Sequence, residues 1–175
     1  MDKNIGYNFR NKLLLSLLFI FAEISESYGS SNTLFMLERT MDKNQIFYSV
    51  NLNDKNRLDS ENPIDIHWLK RSNGNKVEPL TWIQNKFGYG LKFLTKSEDY
   101  ALFQFASSNK RNFELKKDAK GQFKVYTNSG KDKIEVFRIF IHNNGGTFLA
   151  PKISAIDIFG KNPNTGETIV ETMKF

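Results

Sequence analysis

The stretch NFELKKDAKGQFKVYTNSGKDKIEVFRIFIH, residues 112–142, decides the fold class. Three runs rich in Phe, Ile, Val and Tyr are divided by DAKG (118–121) and NSGKD (128–132). A crossover between parallel strands needs about a dozen residues or more, so connections this short read as hairpins between antiparallel strands. In the first hairpin Phe113 and Leu115 share a face with Phe123 and Val125, and Glu114, Lys116, Lys124 and Tyr126 take the other. The third run is apolar on both faces. Ile134, Val136 and Phe140 alternate with Phe137, Ile139 and Ile141, which is simplest to explain as a central strand covered on both sides.

The same punctuation extends outward along the chain. Ten strands are expected at 33–40, 45–52, 64–71, 90–95, 100–107, 112–117, 122–127, 133–142, 152–159 and 168–174, with further short connections at MDKN (41–44) and SNGN (72–75). Over 79–87 the period changes: Leu80, Ile83 and Phe87 recur at spacings of three and four beside Trp82, and Gly88 follows, which predicts a short helix. The expected fold class is all-β, mainly antiparallel, as a β-sandwich or small β-barrel of about eight to ten strands with that one helix. Periodicity does not separate the two architectures.

The first 29 residues have a different character. A basic segment with Lys3, Arg10 and Lys12 precedes the apolar run LLLSLLFIFA (13–22), and a polar stretch ending in small residues follows. This is the layout of a secretory signal peptide, with Ser27 and Gly29 suited to a cut before Ser30. The apolar run is about half of the ~20 residues that a spanning helix needs, so no permanent anchor is expected after cleavage. The expected organisation is a signal peptide at 1–29 and a single β-rich domain at 30–175, secreted or periplasmic.

Composition limits the chemistry. The 175 residues contain no Cys, which excludes thiolate zinc sites, iron–sulfur clusters, cysteine nucleophiles and disulfides. With 16 Phe, 6 Tyr and 2 Trp, stability can come from packing alone. The charge of +6 survives loss of the leader, which removes three basic and three acidic residues. Much of the excess lies in 109–133, where eight Lys and Arg face three acidic residues. Lysines there suit a soluble hairpin protected against edge pairing, and they also suit a surface for lipid head groups or acidic glycans. Nucleic acid is disfavoured by export and by the lack of any recognition motif.

Few residues could carry catalysis. Histidine occurs only at His67 and His142. Asp65 and His67 stand two apart on one face of a strand, so the carboxylate can orient the imidazole, but no nucleophile elbow accompanies them. They are weak catalytic candidates, with Asp157 as a second carboxylate in a hydrolase alternative. The loop NLNDKNRLDSEN (51–62) resembles a calcium loop in composition, yet Lys55 and Asn56 fall where a ligand and a glycine belong. It reads instead as a polar turn with Asn56 left-handed. No metal and no cofactor is expected. The ligand-binding expectation rests on the aromatic set Trp68, Trp82 and Tyr89, with Lys116 and Lys124 recruiting an anionic group on a lipid, glycan or other small molecule.

Four segments together resemble a known family: LFMLERTMDKNQIFYSVNLN (34–53), LDSENPIDIHWLKR (58–71), LTWIQNKFGYGLKF (80–93) and ISAIDIFGKNPNTGETIVE (153–171). In order and content they are similar to exported bacterial proteins of the domain of unknown function 4833. Pro63, Trp68, Tyr89 and Gly90 match that pattern, whereas Asn56 stands where a Gly is expected. The resemblance implies export and one β-rich domain. It brings no reaction and no catalytic residues. The resulting expectation is an exported, non-enzymatic binding or structural domain.

Overall fold

The computed structural model describes residues 32–40, 42–147 and 151–175. The proposed leader lies outside the described residues, and the account below concerns the unit that begins at Ser31. Its strands are β1 (Thr33–Arg39), β2 (Asp42–Val50), β3 (Ile64–Lys70), β4 (Lys76–Pro79), β5 (Leu91–Lys96), β6 (Tyr100–Phe105), β7 (Ser108–Lys117), β8 (Phe123–Ser129), β9 (Asp132–Gly146), β10 (Pro151–Lys161) and β11 (Thr168–Lys174). One helix, α1 (Trp82–Phe87), precedes β5. All ten expected strands form, and β4 is an addition. Its sequence, KVEP, carries a Pro that suits only an edge, which is where β4 lies.

All eleven strands belong to one curled mixed sheet that forms a half-barrel, with the order β4-β3-β2-β1-β9-β8-β7-β6-β5 and β10-β11 branching from β9. The branch follows from the length of β9. Its start pairs with β8, its middle pairs with β1, and β10 runs along its other edge through both regions. The β1–β9 pairing is parallel, whereas every other pairing in the sheet is antiparallel. Because β1 and β8 share one edge of β9, the sheet divides there into two wings that curl toward each other. Tyr48 of β2 therefore meets Phe105 of β6 at 5.8 Å between ring centres, although four strands separate them along the hydrogen-bonded order.

An aromatic spine joins the wings. Phe35 stacks on Tyr48 at 4.3 Å, Phe105 meets both edge-on, and Phe113 and Phe103 continue the series into the opposite wing. Burial pushes the Tyr48 hydroxyl pKa up, and that hydroxyl donates to the Tyr89 carbonyl at 2.7 Å. This bond fixes the chain just beyond α1 against the core.

The two-faced apolar pattern of β9 has another cause than coverage on both sides. Phe159 of β10 pairs with Arg138 and Gly160 pairs with Val136, leaving Phe137 as an extra residue in a bulge. The bulge changes which parity faces the core. Ile134 and Val136 point inward before it, and Ile139 and Ile141 do so after it. Gly160 stands beside the bulge because a Cβ there would sit 2.8 Å from the Ile134 side chain. On the outer face, Arg138 bonds Glu38 and lies over the rings of Phe140 and Phe159.

Candidate functional site

Helix α1 is held by two small devices. Thr81 accepts from the Gln84 backbone N–H at 3.3 Å, and the Gln84 side-chain oxygen accepts from the Thr81 N–H at 2.9 Å, closing a capping box. The same Gln84 oxygen accepts from the indole N–H of buried Trp68 at 3.1 Å. At the other end Gly90 lets the chain pass beneath the helix, since a Cβ there would lie 2.0 Å from the Asn85 carbonyl oxygen. Thus the segment that resembled a helix followed by an aromatic–glycine pair is a fastening of α1 onto β3.

Beneath α1 the curled sheet forms a partly open cavity of about 430 Å³. Its walls include Leu37 of β1, Phe105 of β6, Phe113 of β7, and Ile139 and Ile158 of β9 and β10, and the helix contributes Ile83 and Phe87. This volume falls within the ~300–1,000 Å³ of small-molecule pockets, which are also mostly apolar. Two arginines supply the polar contrast. Arg39 lies over the rings of Trp68 and Tyr89, at 5.0 and 5.4 Å from their centres, donates to the Tyr89 hydroxyl and pairs with Asp42. Its Nε is buried without a hydrogen-bond partner among the described residues, facing π-systems rather than an acceptor. Arg111 makes a two-pronged pair with Glu171.

The expected site residues separate into three places. Trp68 and Tyr89 come together at 5.5 Å, edge to face, beside Arg39 and the cavity. Trp82 belongs to the same helix but is 68% exposed, with its ring against Phe87 and under the Lys86 ammonium. Lys116 and Lys124 pair across β7 and β8 on the outer face, where Glu114 and Glu135 engage them. Neither lysine lines this cavity. Partial burial opposes ionisation of Glu114, but hydrogen bonds from Lys133 and Lys116 prevail and hold its carboxyl below the ordinary range. Lys124 instead borders a second, polar hollow of about 200 Å³ that also touches Asn56.

Asp65 and His67 do form a pair, Nδ1 to Oδ2 at 3.2 Å, on the outward side of β3, where His67 stacks on Phe47. Neither residue lines the two cavities. The other histidine, His142, contacts Asp157 at 2.6 Å, and Thr172 donates to the second oxygen of that carboxylate, also at 2.6 Å. These two bonds, the Thr172 one foremost, hold the Asp157 carboxyl below its usual range. The loop at 51–62 is a polar turn in which Asn56 adopts φ 57° and the Asn53 side chain caps the Lys55 and Arg57 N–H groups. Among the described residues no cluster of three or more His, Cys, Asp or Glu could hold a metal ion. No helix among them is long and apolar enough to cross a membrane.

Arg39 and Glu171 were not singled out from the sequence, and Arg111 drew notice only as one charge of the basic stretch 109–133, though a signal existed. Each continues an inward apolar alternation: Phe35-Leu37-Arg39, Arg111-Phe113-Leu115 and Ile169-Glu171-Met173. A charge in step with a core face marks a place where the interior turns polar.

A curled β domain with an apolar hollow under an anchored helix is the class that fold and site define. The chain belongs to the family described as Domain of unknown function (DUF4833), whose model matches residues 35–172. Comparisons with the curated proteins and with the solved structures gave no match.

Proposed function

We propose that this is an exported, non-enzymatic binding domain that holds an amphiphile, with the apolar part under α1 and a hydrogen-bonding polar group toward Arg39 and Arg111. The observation that carries the reading is the apolar-walled cavity of about 430 Å³ roofed by α1. Both arginines already have carboxylate partners, so the site does not demand a net anion. A head group that accepts hydrogen bonds suffices. The signal-like pattern of residues 1–29 supports export to the periplasm or cell exterior.

Native mass spectrometry of protein purified from its own host tests the proposal, followed by titration with the fluorescent fatty acid cis-parinaric acid. A co-purifying amphiphile, or saturable binding of the probe, is expected. A ligand-free mass together with no saturable binding would overturn it. The competing hydrolase reading draws on the 3.2 Å Asp65–His67 pair. It requires esterase or amidase activity that disappears in His67→Ala.

A further inference from the structure

Helix α1 presents more apolar surface than its fastening uses. Trp82 is 68% exposed, Phe87 59% and Ile83 40%, and Leu94 on neighbouring β5 is 45% exposed. A six-residue helix with no buried residue is an unusual place for two large aromatic rings. The charge within this segment has one sign. Residues 80–97 carry Lys86, Lys92 and Lys96 and no Asp or Glu, and the acids that flank the segment in the chain are already paired, Glu78 with Lys76 and both Glu98 and Asp99 with Arg57. Lys86 places its ammonium over both Trp82 and Phe87, at 5.0 and 5.3 Å.

Aromatic rings with amphipathic lysines beside them are the combination that rests in the head-group layer of a bilayer. The rings enter the acyl boundary, and each ammonium remains among phosphates. From this we infer that α1 docks the protein on the surface of an anionic phospholipid membrane, with Trp82 as the inserted side chain and Lys86 at the phosphate level. Ile83 and Phe87 border the cavity as well as the patch, so docking would bring the cavity rim to the bilayer. The inference goes beyond the ligand reading and does not require it.

Co-sedimentation with vesicles tests this, using protein purified from its host and vesicles of phosphatidylcholine alone or mixed with phosphatidylglycerol. Trp82→Ser and Lys86→Glu are the variants, since both side chains are exposed and neither lines the cavity; circular dichroism checks their folding. Wild type is expected to sediment with the anionic vesicles in a salt-sensitive manner. Trp82→Ser should weaken partitioning about tenfold or more, and Lys86→Glu should weaken it selectively on anionic vesicles. Brominated phosphatidylglycerol should quench Trp82 and spare buried Trp68. Three results would overturn the inference: wild type that stays in the supernatant, variants that sediment like wild type, or a wild-type dimer that Trp82→Ser converts to monomer without vesicle binding. Affinity for cis-parinaric acid, measured on the same proteins, should be unchanged by either variant, so failure of docking and failure of ligand binding are read separately.

Discussion

Replacing Gln84 by Met keeps length and flexibility but removes the oxygen that accepts from both Thr81 N–H and Trp68 Nε1. Trp68 is only 3% exposed, so its indole N–H would be left without a partner, at a cost of about 1–3 kcal/mol. Losing half of the capping box adds up to about 1 kcal/mol. The sum, about 2–4 kcal/mol, falls on a helix of one and a half turns with no buried residue of its own, so α1 should release while the sheet persists. In urea unfolding the midpoint should fall, and in thermal melts it should drop by about 5–10 °C. Hydrogen exchange should show the α1 amides losing protection before those of β9. Gln84→Glu retains an acceptor and should stay near wild type. The decisive measurement is a double-mutant cycle with Trp68→Phe, in which Gln84→Met should cost about 1–2 kcal/mol less than in wild type. Costs that add to within about 0.5 kcal/mol would refute the argument, because they would mean that the two side chains are not energetically joined.

Gly160→Ala would place a Cβ 2.8 Å from Ile134, and a destabilisation of about 1–3 kcal/mol by denaturant titration is expected, partly relieved in combination with Ile134→Ala. Ile139→Phe should fill the hollow beneath α1, leaving the circular dichroism spectrum intact while weakening cis-parinaric acid binding at least about tenfold. Acid should destabilise the fold. The carboxyls of Asp59, Glu78, Glu114, Asp118 and Asp157 all lie below their ordinary values, so their contributions are present above the unfolded-state values near 4 and are lost as pH falls through the lowered folded values. Thermal midpoints should therefore be steady near neutrality and decline below about pH 4, and Asp157→Asn should flatten part of that decline.

Much of the fold can be read locally. The alternation in β7 and β8, the two tight connections and the helical spacing of Leu80, Ile83 and Phe87 depend on neighbours within a few residues, so the chain states them directly. The same holds for Asn56, whose left-handed backbone follows from a short polar side chain in a turn. The site was legible only in part. Trp68 and Tyr89 drew notice as aromatics, but Lys116 and Lys124, chosen for their charge, proved to share the outer face of β7–β8 with their own carboxylate partners.

What the sequence determined alone is a cysteine-free β chain with a short helix in its middle, because hydrophobic period and turn chemistry act over a handful of positions. Tertiary structure decided the rest. The parallel pairing of β1 with β9 unites residues about a hundred positions apart, and the Phe137 bulge reverses which side of β9 faces inward. The same curled sheet has Arg39 and Arg111, from two distant strands, lining one hollow, with Glu171 of a third strand paired to Arg111. No local pattern encodes that meeting, because it arises from where a long strand runs out of one neighbour and takes up another.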